Sequence, residues 1–193
     1  IDETPLPDEK PAQYVQRLAE EKARAVGALV GEDQVVVAAD TTVVDGDLIL
    51  GKPGDPDEAR AMLAQLRGRV HAVLTGVAVY KRRNDVLLSD VTETRVPMRA
   101  YSDDEITAYI ATGDPFDKAG GYAIQHEGFR PVTMLVGCYA NVVGLPLCTV
   151  TRLLGEMGMA TAPQDGLDCL TQLGRVSLTY NCNLEPFAVK DDR

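Results

Sequence analysis

The sequence predicts an α/β domain built on a mixed, twisted sheet with flanking helices. Three observations carry this. Helical and strand-like segments alternate through the first half of the chain. Two long β-rich segments, 70–80 and 86–96, follow one another in the middle. Helix-start signals recur in front of apolar stripes of helical period. Alternating elements of this kind put helices against a sheet.

Residues 1–10 are rich in proline and acid and read as a loop. Pro11 suits the first turn of a helix, which runs to about Leu29. Its apolar stripe is Val15, Leu18, Ala19, Ala25, Val26 and Leu29. Lys22 falls on that stripe. Either it snorkels outward, or it points inward at a ligand or carboxylate.

Gln34 to Ala39 is a short apolar run that reads as a buried strand ended by Asp40. Thr41–Val44 and Leu48–Leu50 flank Asp45-Gly46-Asp47, a hairpin-like turn. Asp55 and Glu58, with Pro56 between them, have the spacing of a helix N-cap and its N3 partner. Ala59, Met62, Leu63 and Leu66 form that helix's apolar face. The basic run 81–85 reads as a solvated turn between the two β segments. Ser102 and Glu105 form a second capping box, and Ile106, Tyr109 and Ile110 the apolar face behind it. Residues 122–136 read as an irregular strand and 146–157 as a last helix, with Leu147, Val150, Leu154 and Met157 inward. The expected domain spans 1–158. The tail, 159–193, has no strong period, although Val176 to Tyr180 alternates like a strand.

Bulk properties narrow the function. The chain has 193 residues and a formal net charge of -10. Such an acidic balance disfavours a nucleic-acid partner, which calls for a basic face. A small anionic substrate remains compatible, if local lysines or a divalent cation offset the field. No run approaches about 18 consecutive apolar residues, so no membrane-spanning helix is expected. Cys138, Cys148, Cys169 and Cys182 form no CxxC pair. Thiols in a reducing cytosol are the plain reading. His71 and His126 have no ligand-spaced partner.

Four places carry candidate chemistry. Asp40, read as ending a buried strand, sits where open α/β sheets place ligands and could hold a metal or act as a base. The alternative is an acid that satisfies backbone donors at a turn. Lys52 follows a hairpin that returns the chain toward Asp40, and is either a phosphate ligand or an exposed loop lysine. Asp117-Lys118-Ala119-Gly120-Gly121-Tyr122 offers one charge of each sign and two glycines that permit close backbone approach. It lacks the Walker A spacing. Gln125 is an amide able to read a base edge.

Read together, these segments are specific. ADTTVVDGDLILGKP (39–53), GDPFDKAGGYAIQ (113–125) and NVVGLPL (141–147) closely resemble the Maf family. So do the helix around Glu21-Lys22-Ala23 and RVHAVLTGVAV (69–79). The resemblance covers 1–157 and implies a two-lobed α/β fold around a cleft, similar to that of inosine triphosphate pyrophosphatases. It implies a cytoplasmic, commonly dimeric enzyme that cleaves nucleoside triphosphates between the α and β phosphates, using Mg or Mn. On this resemblance Asp40 is the catalytic proton acceptor and metal-facing acid. Thr41 and Gln125 are specificity residues, Lys22, Lys52 and Lys118 face the phosphates, and Asp117 belongs to the substrate-binding DKAG motif. The Asp-Thr and Ala-Ile-Gln patterns are similar to the branch acting on dTTP and UTP. Members usually open with a strand and a Ser-x-Ser-Pro-Arg-Arg turn. No SPRR occurs in this chain, so the two phosphate-binding arginines of that turn are expected to be absent. Two other readings compete: a nucleotide-binding relic without turnover, and a hydrolase of a modified purine triphosphate.

Overall fold

The computed structural model describes residues 1–132, 135 and 137–160. The expected strand at 176–180 and nearly all of the tail lie outside them. In chain order the elements are α1 (Pro11–Gly27), β1 (Val35–Asp45), β2 (Leu48–Leu50), α2 (Pro56–Leu66), β3 (Val70–Lys81), β4 (Val86–Pro97), α3 (Asp103–Ile110), α4 (Tyr139–Val142) and α5 (Leu147–Glu156). Short 3-10 turns occupy Arg82–Asn84, Asp114–Asp117 and Ala119–Gly121.

The four described strands form one sheet in the order β2-β1-β3-β4. The α/β class with flanking helices is as expected, and every pairing among these strands is antiparallel. The connections explain the direction. A tight turn at Gly46 (φ +65°) joins β1 to β2, and a turn closed by left-handed Asp85 joins β3 to β4. β1 and β3 pair along their whole shared length, from Val35 opposite Lys81 to Val44 opposite Ala72. β2 pairs only with Val43–Asp45. On that side, no described strand pairs with β1 from Val35 to Thr42.

Alternation of side chains divides the sheet into two faces. One face takes Val36, Val44, Leu74, Ala78 and Tyr80 and packs against Val15, Ala19 and Ala23 of α1. Helix and sheet touch most closely at Gly76. A Cβ there would lie 2.3 Å from the Val15 carbonyl oxygen, so only glycine admits the helix at this height. The opposite face takes Val43, Val73 and Val96 into the main core, with α2, α3 and Phe129, Leu135 and Tyr139. Further along, Val77 and Val79 meet Leu153 of α5.

Three local expectations are corrected. The buried stripe of α1 is Val15, Leu18, Ala19, Ala23 and Gly27, whereas Ala25, Val26 and Leu29 are exposed. The cause is Gly27, which sits so close to the Tyr80 ring that a Cβ would approach to 2.6 Å. Asp40 does not end a strand. It lies inside β1, opposite Gly76. The described residues of 122–136 form turns and one isolated bridge, Met98 to Val132, instead of an irregular strand. That segment enters the core through Tyr122, Phe129, Val132 and Leu135 without joining the sheet. Both N-caps form, but only the second box closes, because the Glu58 carboxylate receives Gly54 N instead of the Asp55 backbone. Asp55 accepts from Glu58 N at 2.8 Å, and Ser102 and Glu105 bond reciprocally.

Candidate active site

The site forms around the middle of β1, on both sides of the strand. Asp40 faces α1 and stands opposite Gly76 in the register, while its helix partner Lys22 lies about two turns beyond Val15, which makes the close contact. Lys22 Nζ donates to Asp40 Oδ1 at 2.5 Å and to Glu3 Oε1 at 2.9 Å. The stripe lysine is therefore an inward one, held by two carboxylates. The Asp40 side chain is only 11% exposed. Burial raises its carboxyl above the usual range, and the Lys22 ammonium opposes that shift. Lys22 is held protonated: its two carboxylate hydrogen bonds outweigh the burial that would lower it. Lys52 adds a positive field that reaches both Asp40 and Glu3.

The next residue, Thr41, points to the opposite face. There a cavity of about 310 Å³ opens between the sheet and the loops that follow α3 and α4. Thr41, Lys52, Asp117, Lys118 and Gln125 all line it, together with apolar walls from Val73, Tyr122, Ile124 and Val142. Its size and mixed lining suit a small molecule with one apolar and one charged part.

Close backbone packing holds the loop 117–121 in place. Gly120 N donates to Gly51 O at 2.9 Å. Gly120 has φ +69°, and a Cβ on it would lie 2.9 Å from Val43 Cγ1. The glycine thus answers both a left-handed backbone and a missing space. Lys118 bonds to Asp117 Oδ1 at 2.6 Å and to Asp114 Oδ1 at 3.0 Å. These carboxylates hold it protonated against the burial that would lower its pKa. Tyr109 OH donates to Asp114 Oδ2 at 2.6 Å and receives Ala123 N at 2.9 Å, tying the loop to α3.

Five of the seven sequence-predicted residues thus share one cavity. The other two, Asp40 and Lys22, form an ion pair across the strand from it. Thr41 is supported from beneath by buried polar residues. Thr41 and Thr75 hydroxyls are 2.8 Å apart, and Thr75 donates to the Asn141 carbonyl at 3.1 Å. Asn141 Nδ2 donates to Val73 O and Thr94 Oγ1, each at 3.0 Å. Nothing in sequence periodicity marks Thr75, because its role depends on standing opposite Thr41 in the register.

A further buried polar pair backs the cavity wall. His71 Nε2 lies 2.7 Å from the Tyr122 hydroxyl. Burial depresses the imidazole to about 4, so it is neutral at physiological pH. Its Nδ1 has no hydrogen-bond partner among the described residues.

A part-buried acid–lysine pair on β1, beside a cavity with two further lysines, makes a site suited to an anionic small molecule. The chain belongs to the family described as Maf-like protein, which it matches over residues 1–157. It is 46% identical over 161 residues to a dTTP/UTP pyrophosphatase of Geobacter sp. (strain M21), covering 82% of this chain and 83% of that protein. It is 49% identical over 167 residues to a dTTP/UTP pyrophosphatase of Thermomicrobium roseum, covering 86% and 75%. A dTTP/UTP pyrophosphatase of Geobacter sulfurreducens is 48% identical over 158 residues, with 82% of each chain covered.

Proposed function

We propose that this protein hydrolyses nucleoside triphosphates, dTTP and UTP foremost, to the monophosphate and pyrophosphate. The observation that carries this reading is the adjacency of Asp40 and Thr41 on β1. One residue faces a paired lysine and the next faces the cavity, so a base and its phosphates can be served from one stretch of strand. The pyrimidine occupies the cavity near Thr41 and Gln125. The triphosphate runs past Lys52 and over the edge of β1 that no described strand pairs, toward Asp40 and Lys22.

In this mechanism Asp40 accepts a proton from a water molecule. The water oxygen attacks the α phosphorus, and the bond from that phosphorus to the α–β bridging oxygen breaks. Pyrophosphate leaves with the electron pair. Burial, which raises the Asp40 pKa, brings its basicity closer to what general-base catalysis near neutral pH requires. Lys22, Lys52 and Lys118 stabilise charge that grows on the phosphate oxygens. Asp117 holds Lys118 in position, at 2.6 Å.

A divalent cation, Mg or Mn, belongs to the same reading. Among the described residues no group of three or more His, Cys, Asp and Glu is placed to hold a metal. Asp40 is the residue that would hold it, as a single carboxylate ligand of the kind Mg accepts alongside substrate phosphates. When bound, the cation would neutralise charge on the phosphates. Among the described residues, no helix is long and apolar enough to cross a membrane. A cytoplasmic setting and a homodimer complete the proposal, on the family resemblance.

Hydrolysis in ¹⁸O-labelled water tests the reading. With Mg or Mn, dTTP and UTP are expected to release pyrophosphate ahead of CTP, GTP, ATP and 7-methyl-GTP, with the label in the monophosphate. Label in pyrophosphate would contradict attack at the α phosphorus. Preference for a purine would contradict the substrate assignment.

A further inference from the structure

The hydrogen bonds beneath the cavity have a direction, and the direction has consequences for the ligand. A threonine hydroxyl has one proton to donate and lone pairs to accept with. A carbonyl oxygen only accepts. Thr75 donates its proton to the Asn141 carbonyl at 3.1 Å. The Thr41–Thr75 contact of 2.8 Å must then use the proton of Thr41. Thr75 is fully buried and stands directly opposite Thr41 in the register. The carbonyl is itself fixed: it also receives Gly144 N at 3.0 Å, and its residue's side chain is tied to Val73 and Thr94. Thr41 therefore turns its proton inward and offers only lone-pair density to the cavity. Gly144 leaves that oxygen accessible, since a Cβ there would come within 3.5 Å of it.

We propose that Thr75 is a specificity-determining positioning residue, which fixes Thr41 Oγ1 as a hydrogen-bond acceptor and so selects ligands that present an N–H donor to it. The imide N3–H of uracil and thymine is such a donor. Cytosine has a lone pair at N3 and meets an acceptor with an acceptor. The inference rests on the assignment of the cavity to a pyrimidine base. Gln125 does not provide the same selection, because its amide has both a donor and an acceptor end. A site committed to a hydrogen-bond donor discriminates more strongly than an apolar pocket does, because the mismatch leaves a buried polar group unpaired.

Calorimetric titration of the full chain with UTP and CTP, with Mg withheld by a chelator so that no hydrolysis intervenes, tests this on binding alone. Wild type is expected to bind UTP more tightly than CTP by about tenfold or more. In Thr75→Val the Thr41 hydroxyl is released and can donate. CTP affinity is expected to rise, and the UTP/CTP ratio to fall by about an order of magnitude, an effect that structural damage alone would not produce. Thr75→Ser keeps the hydroxyl and should keep the wild-type ratio. The triphosphate of 3-deazauridine, with C–H in place of N3–H, should bind wild type more weakly than UTP, which tests the acceptor even if Thr75→Val fails to fold. A preserved UTP/CTP ratio in folded Thr75→Val, or equal binding of UTP and its 3-deaza analogue, would overturn the role of Thr75 while leaving the pyrimidine assignment in place. Equal binding of UTP and CTP by wild type would overturn the acceptor role of Thr41 as well, whereas tighter binding of a purine triphosphate would overturn the pyrimidine assignment itself.

Discussion

Lys22 Nζ lies 2.5 Å from Asp40 Oδ1, on the opposite side of β1 from the cavity that Thr41 lines. The pair joins helix α1 to the strand edge, and it sets the protonation of the acid proposed as the general base. Burial pushes the Asp40 carboxyl up, and Lys22 holds it down. Removing the ammonium leaves burial unopposed. The acid limb of the pH–rate profile is therefore expected to move to higher pH in Lys22→Met, with residual activity recovering as pH rises. An unmoved acid limb would show that this limb belongs to another group.

The loop that carries Lys118 is positioned by Gly120. In Gly120→Ala the new methyl group meets Val43 at 2.9 Å while the backbone must still adopt φ +69°. A loss of roughly 1–3 kcal/mol is expected from such a strained position. The loop should also lift from Gly51 and raise KM for the nucleotide. Thermal unfolding and steady-state kinetics of the variant check both effects. A change in stability with KM unaltered would detach this loop from substrate binding.

The contact at Gly76 is tighter still. A methyl group there would lie 2.3 Å from the Val15 carbonyl, a backbone atom that no rotamer change can move aside. Gly76→Ala is expected to cost about 1–3 kcal/mol through overpacking and to displace α1. Displacing α1 separates Lys22 from Asp40, so kcat should fall more than KM rises. Chemical denaturation and kinetics measure the two outcomes side by side.

His71 makes stability depend on pH. Its folded pKa, about 4, is below the 6.5 of the exposed imidazole. The folded state therefore resists protonation, and the stability it contributes is fully present above pH 6.5. That contribution is lost as pH falls toward 4, by roughly 3 kcal/mol in all. Urea unfolding of wild type and His71→Gln at pH 7 and pH 4.5 isolates this group. The variant should be the less pH-sensitive of the two. Equal sensitivity would assign the acid loss to other residues.

Much of the fold was legible because its signals are local. Pro11, Asp55 and Ser102 open helices by satisfying or removing backbone donors within one turn, and they do so whatever packs nearby. Lys22 was legible as an anomaly, a charge on an apolar stripe. Asp40 was harder. An acid after QVVVAA reads as a strand end, because the sequence does not reveal that a lysine from another element compensates it inside the strand. The stretch from Tyr122 misled for a related reason. Tyr122, Ile124, Phe129 and Val132 are apolar enough for a strand, yet they face a core formed by α2 and α3 instead of a strand partner. The site's lysines, acids and Gln125 were visible as residue types within motifs. The Thr41–Thr75–Asn141 chain was not, because it links residues 34 and 66 positions apart, and only the register brings them together.

Pyrophosphate release from UTP by wild type and Asp40→Asn, with Mg and with unfolding curves matched, tests the central claim most directly. Asn keeps the shape of the side chain and removes its capacity to take a proton. A fall in kcat of about 10²–10⁴-fold, with nucleotide binding retained, is the predicted result for loss of a general base. Near-normal turnover by folded Asp40→Asn would contradict the assignment of Asp40 as the base.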